Sequence, residues 1–199
     1  ESGAYKNVIV VGADKMSSIT DYTDRSTCIL FGDAAGAILL QANDQGFGLQ
    51  DSWMRVDGVG AEFLHMKGGG SKNPPTHETV DKKWHYLFQD GKPVFKAAVK
   101  GMAEAVNEIL KRNNLSPDDI RFVVPHQANL RIIQAVADYL KFPMDRVMVN
   151  IQKYGNTTSA TIPLCLWEWE DQLKPGDKVI LTSFGGGYTW GASLWTWAY

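Results

Sequence analysis

The chain has 199 residues, 44% of them hydrophobic, enough to bury a substantial core in one domain or in a large piece of one. No apolar run approaches the roughly 18 residues that span a bilayer, and the first twenty residues lack the basic start and apolar centre of a signal peptide, so a cytoplasmic protein without a membrane partner is expected. A net charge of -2 argues against nucleic acid as the main partner, and Cys28 and Cys165, far apart and outside any Cys-x-x-Cys or Cys/His spacing, suggest neither a disulfide framework nor a metal site.

The opening run, Lys6 to Val11 followed by Gly12-Ala13-Asp14, is β-branched without interruption and predicts a strand buried on both faces. It begins so soon after Glu1, with no methionine, that the chain is expected to be a piece of something longer. A second strand is predicted at Ser26 to Phe31, then a glycine corner at Phe31-Gly32 leading into a third strand through Gly36 to Leu40, ended by Asn43-Asp44-Gln45-Gly46. Phe47 to Val59 reads as a strand and a connection. His65 to Thr79, rich in Gly, Ser, Pro and Asn, reads as a loop long enough to wall a pocket, with His65, His77 and His85 as solvated histidines.

Phe95, Val99, Met102, Val106, Ile109 and Leu110 repeat at helical spacing, and Asn113-Asn114 ends that helix. Ser116-Pro117-Asp118-Asp119 caps a short turn. Arg121 to Val124 predicts a strand entering a helix at about Asn129 to Lys141, with Leu130, Ile133, Val136 and Leu140 inward. Val147 to Ile151 predicts another strand, entering a helix at about Thr158 to Leu173 with Ile162, Cys165, Leu166 and Trp169 inward. Lys178 to Phe184 and Ala192 to Tyr199 are strands flanking the glycines Gly185-Gly186-Gly187. The corner after Phe184 echoes the corner after Phe31, as a repeated half would. Lys96, Lys100, Lys111, Arg112, Arg131 and Lys141 lie on or near the two predicted helices as a candidate basic patch.

In open α/β sheets, ligands bind beyond the carboxyl ends of strands, and Pro125-His126-Gln127-Ala128-Asn129 and Gly155-Asn156-Thr157 both follow predicted strands. An imidazole N–H and a carboxamide N–H₂ are paired donors suited to a carbonyl oxygen that gains charge as an enolate forms. Three polar side chains at positions 126, 127 and 129 exceed what a capped turn needs.

These segments, with Phe184-Gly185-Gly186-Gly187-Tyr188-Thr189-Trp190-Gly191, resemble the signature motifs of β-ketoacyl-acyl carrier protein synthase III, in the family's order. The resemblance extends through Asp24-Arg25, the Phe31 to Ala37 corner and Asp90-Gly91 to Phe95. It implies an α/β, thiolase-like fold, layered α/β/α with a mixed sheet. Residues 1–45 would be the end of the N-terminal half and residues 46–199 the C-terminal half.

By the same resemblance, His126 and Asn156 bind the thioester carbonyl of a malonyl group on acyl carrier protein, and Gly186 supplies a backbone N–H to an oxyanion. Phe184, Asn129, Ala128 and Arg25 contact substrate, the last at the adenine end of coenzyme A, and Arg131 docks the carrier protein. No cofactor or metal is implied, coenzyme A thioester being a substrate. The nucleophilic cysteine is implied to lie upstream, in a missing N-terminal half, so the fragment alone would be inactive; relatives are dimers. Tyr188 and Ala34 stand where many relatives have phenylalanine and glycine.

Two other readings compete. One is a cysteine hydrolase built from Cys28, His126 and Asn156, although Cys28 falls mid-strand among apolar residues with no helix N-terminus to activate it. The other is a non-catalytic fragment that binds acyl carrier protein.

Overall fold

The computed structural model describes residues 3–199. Strands β1 (Asn7–Asp14) and β2 (Ala34–Gln41) pair antiparallel along their full lengths, Asn7 opposite Gln41 and Asp14 opposite Ala34. The chain between them is not the strand predicted at Ser26 to Phe31. It is a series of turns, because the Asp24 carboxylate accepts from the Ser26 N–H and from the Ser26 and Thr27 hydroxyls, while the Asp24 carbonyl accepts from Thr27 and Cys28. Such local bonds give the backbone an alternative to a ladder. Only Phe31 pairs, in one parallel bridge to Asn156.

Next come β3 (Gly48–Val56), β4 (Leu64–Met66), α1 (His77–Asp81) and β5 (Leu87–Gln89). The predicted loop is thus bracketed by a short antiparallel pair, β4 with β5, and its last residues turn helical behind a capping box of Thr76 and Thr79. Two of its neighbouring histidines are not solvated: the half-buried rings of His65 and His85 lie 5.3 Å from Phe88 and 4.1 Å from Tyr86.

Helix α2 (Gly91–Arg112) starts at Asp90, whose carboxylate accepts from the Lys92 N–H, and buries Val94, Ala98, Met102, Val106 and Ile109 on one face. It is followed by β6 (Phe122–Pro125), α3 (Leu130–Leu140), α4 (Ile151–Tyr154), α5 (Thr161–Trp169), β7 (Lys178–Gly185) and β8 (Thr189–Thr196). The four-stranded sheet runs β3-β8-β7-β6 and is mixed: β6 lies parallel to β7, and the other pairs are antiparallel.

The pleat sorts this sheet's residues into two cores. Val123, Ile180 and Leu194 pack with α2 and α3, whereas Phe122, Val124 and Val179 pack with Cys165 and Leu166 of α5. The architecture is therefore α/β/α.

Three expectations need correction. Val147 to Ile151 is not a strand: only Val147 bridges to Val123, and the N–H groups of Asn150 and Ile151 are taken by the side chain of Gln127. Leu130 is exposed at the first position of α3, and Ile132 and Ala137 are buried in addition to Ile133, Val136 and Leu140. Strand β1 is not buried on both faces. Val8, Ile9, Val10 and Val11, which alternate between the two faces, are all exposed: among the described residues β1 has β2 as its sole strand partner, and the Ser159 turn packs closely only on its Gly12 end.

Candidate active site

The site grows from the carboxyl ends of β6 and β7. The His126 N–H donates to Thr182 O at 2.8 Å, which extends the parallel pairing one residue past Pro125 and fixes His126 where the strands end. Asn129 caps α3, its Oδ1 accepting from the Arg131 N–H at 2.8 Å.

Gln127 turns the other way. It is fully buried, donating from Nε2 to Pro125 O and Met148 O and accepting at Oε1 from Asn150 and Ile151. It staples the segment that leads to Asn156 onto the end of β6, so the third polar residue of the motif is structural.

Asn156 is reached through Gly155, which ends α4 at φ 70° and lies close enough to Leu30 O that a Cβ would stand 3.0 Å from it. The Asn156 N–H donates to Leu30 O, and Gly32 N–H donates to Asn156 O, so the turn is clamped to the segment before β2. Its Oδ1 accepts from the Thr158 N–H at 2.9 Å, and among the described residues its Nδ2 donors have no hydrogen-bond partner. The following turn is held by Asp14 at the end of β1, whose carboxylate accepts from the Ser159 N–H and hydroxyl. Those hydrogen bonds, the Ser159 hydroxyl foremost, hold the Asp14 carboxyl below its ordinary range.

His126 and Asn156 border one cavity of about 560 Å³, together with Ala128, Asn129, Phe184, Gly185 and Gly186. Leu64, Leu87, Val94 and Phe95 form much of its apolar wall. At Gly187, φ 141° and the nearness of Thr189 demand glycine. No such demand exists at Gly186, where a Cβ would meet nothing closer than Leu64 O at 3.4 Å, so the bare backbone there serves the open cavity rather than the packing.

Burial in these surroundings pulls the His126 imidazole down to about 4, so near neutral pH it holds one ring proton. Its Nδ1 lies 2.7 Å from Thr161 Oγ1, and that hydroxyl donates to Thr158 O at 2.8 Å. The Thr161 hydroxyl has one proton and two acceptors in reach, so the ring tautomer depends on which of them it faces.

Six of the expected site residues, His126, Asn156, Gly186, Phe184, Asn129 and Ala128, thus converge on one cavity. Arg25 and Arg131 are exposed and do not line it, though their neighbours Ser26 and Asn129 do. Part of the basic patch is structural: Arg112 pairs with Asp51 at 2.8 Å. Cys28 is half-buried in the turns after Asp24 and does not line the cavity, and burial pushes the Cys165 thiol up to about 12.

Sequence reasoning missed Asp14, Thr158, Ser159 and Thr161. The density of hydroxyls after Asn156 was the available signal. Among the described residues no group of three or more His, Cys, Asp or Glu is placed to hold a metal ion, and no helix is long and apolar enough to cross a membrane.

Comparison with known proteins matches residues 1–58 to 3-oxoacyl-[acyl-carrier-protein] synthase III and residues 110–197 to the C-terminal part of the same synthase. The chain belongs to the β-ketoacyl-acyl carrier protein synthase III family. A β-ketoacyl-[acyl-carrier-protein] synthase III of Porphyromonas gingivalis is 57% identical over 198 residues, which cover 100% of this chain and 59% of that protein. One of Bacteroides thetaiotaomicron is 54% identical with the same coverage. The crystal structure of the Aquifex aeolicus 3-oxoacyl-[acyl-carrier-protein] synthase III superposes with a TM-score of 0.88 at 40% identity, covering 98% of this chain and 59% of that one. The fold is thiolase-like, and the chain spans about 59% of the length of the curated relatives it matches.

Proposed function

We propose that the protein of which this chain forms the His/Asn part is a β-ketoacyl-[acyl carrier protein] synthase III. It would condense acyl-coenzyme A with malonyl-acyl carrier protein by a decarboxylative Claisen reaction that initiates fatty acid synthesis. The observation that carries this reading is the convergence of His126, from the end of β6, and Asn156, from the turn after α4, on one apolar cavity in a chain of this family.

The chemistry follows from that geometry. The malonyl thioester oxygen accepts from Asn156 Nδ2, which the Thr158 N–H aims by occupying Oδ1, and from His126 when its proton is on Nε2. As carbon dioxide leaves, the electron pair of the broken C–C bond becomes the enolate. The enolate carbon then attacks an acyl thioester held on a cysteine outside this chain, and the C–S pair returns to the thiolate. The Gly186 N–H is assigned to the oxyanion of that attack, and Phe184, buried beside it, to the malonyl group. The reading needs no cofactor.

Arg131 is assigned to carrier-protein docking. A cation in the first turn of α3 opposes the helix dipole, so stability does not explain it, and it follows cavity-lining Asn129 by two residues. Arg25 and Asn129 with Ala128 are assigned to the coenzyme and its pantetheine arm. The change of sheet between β2 and β3 supports a division near residue 45 into the end of an N-terminal half and a C-terminal half. A cytoplasmic homodimer with both halves present completes the proposal.

In the full-length gene product, Asn156→Ala is expected to slow malonyl decarboxylation by about 10²–10³-fold while cysteine acylation changes by no more than about threefold. Radiolabelled acyl transfer and carbon dioxide release measure the two steps. Equal losses in both would defeat the assignment.

A further inference from the structure

We propose that Thr161 is a positioning residue that sets the tautomer of His126, holding the ring proton on Nδ1 in the free protein so that the cavity is offered a lone pair at Nε2. Among the described residues Nδ1 has Thr161 Oγ1 as its partner at 2.7 Å and Nε2 has no hydrogen-bond partner, and the residue lines the cavity. The Thr161 hydroxyl owns one proton and has two acceptors in reach, Nδ1 and Thr158 O. If it donates to the ring, the ring must carry its proton on Nε2; if it donates to the carbonyl, the ring proton must sit on Nδ1.

Two observations favour the carbonyl. A threonine in the first turn of a helix readily donates to the carbonyl three residues before it, which is the Thr161 to Thr158 contact seen at the start of α5. Thr158 is also held at φ 49°, a costly conformation for a β-branched residue, with its N–H bound to Asn156 Oδ1. The turn that orients the carboxamide therefore also presents the carbonyl that captures the Thr161 proton. Asn156, Thr158, Thr161 and His126 form one hydrogen-bonded chain, in which amide orientation and ring tautomer are coupled. For Nε2 to donate to a substrate oxygen, the Thr161 hydroxyl must rotate toward Nδ1 as the ring proton changes nitrogen by exchange with water.

The inference rests on the proposed site only for its consequence in catalysis, and its test needs no turnover. In the full-length gene product with ¹⁵N-labelled histidine, long-range ¹H–¹⁵N spectra at neutral pH should show a pyrrole-type shift at His126 Nδ1 and a pyridine-type shift at Nε2. Thr161→Val should exchange the two shifts, since a buried Nδ1–H would lose its acceptor, and Thr161→Ser should restore the original pattern. A wild-type spectrum with the proton on Nε2 overturns the proposal whether or not the valine variant folds. An unchanged tautomer in a folded Thr161→Val protein overturns it as well. If the shifts exchange as expected while Asn156→Ala leaves decarboxylation untouched, the functional reading fails and the tautomer assignment stands.

Discussion

Two apolar strands of nearly the same composition meet opposite fates in this molecule. Phe122-Val123-Val124 in β6 is buried on both faces between α2 and α3 on one side and α5 on the other. Val8-Ile9-Val10-Val11 in β1 is exposed, with Ile9 at 66% of its full accessibility. The difference lies in the neighbours that this chain itself supplies, since both runs have the residues that favour a doubly covered strand and the chain spans about 59% of its relatives' length. What does tie β1 to the rest is polar and close-packed: Asp14 on Ser159, and Gly12, where any Cβ would overlap the Ser159 carbonyl.

The largest effect expected from this contrast is in the core. Phe122→Ala should cost about 3–5 kcal/mol by denaturant unfolding, whereas Ile9→Ser in the same chain should stay within about 0.5 kcal/mol. Similar losses at the two positions would break the comparison.

Acid should act next, and on the same half of the molecule. His126 titrates near 4 when folded against the usual 6.5, so the unfolded chain takes up the proton first as pH falls. Stability contributed by the neutral ring is then present above pH 6.5 and lost between about 6.5 and 4, on the order of 3 kcal/mol in all. Asp14, Asp24 and Asp33 have lowered values and lose their contributions only below that window. Urea midpoints across pH 4–7 should therefore fall steeply for the wild type and far less for His126→Gln. An unchanged slope in the variant would assign the acid sensitivity elsewhere.

The smallest effect sharpens the link between the two regions. Asp14→Ala removes the acceptor for the Ser159 N–H and hydroxyl and is expected to cost about 1–2 kcal/mol. Hydrogen exchange should quicken in β1 and β2 and in residues 156–160 while β6 and β7 keep their protection. Uniform quickening would mean that the hairpin and the sheet open as one unit.

Where local pattern and tertiary environment agree, the elements are legible from the residues. The helical period from Phe95 to Leu110, the capping role of Asn129, and the strands around Val123 and Ile180 all follow from spacing. So does the placement of His126 and the glycine hairpin at the ends of β6 and β7, whereas Asn156 joins them through the turn after α4. The failures share a cause. Ser26 to Leu30 and Met148 to Asn150 have strand-forming residues, yet Asp24 and Gln127 supply side-chain partners to their backbones, and a side chain's reach across space is not written in the periodicity. Gln127 looked chemical for the same reason, since a fully satisfied buried amide and a substrate-binding one have the same letter.

By itself the order of residues determined the chemistry on offer: an imidazole and bare glycine backbone after apolar strands, a carboxamide in a glycine turn, and apolar stripes with the right period to build the layers around them. Only the tertiary structure decided which apolar strand is covered within this chain, which polar side chain is consumed in holding the scaffold, and which nitrogen of His126 contacts Thr161. The physical reason is that propensity and periodicity are properties of a local segment, whereas burial and the placement of a proton depend on partners brought in from elsewhere, here Thr161 for His126 across 35 residues and Asp14 for Ser159 across 145.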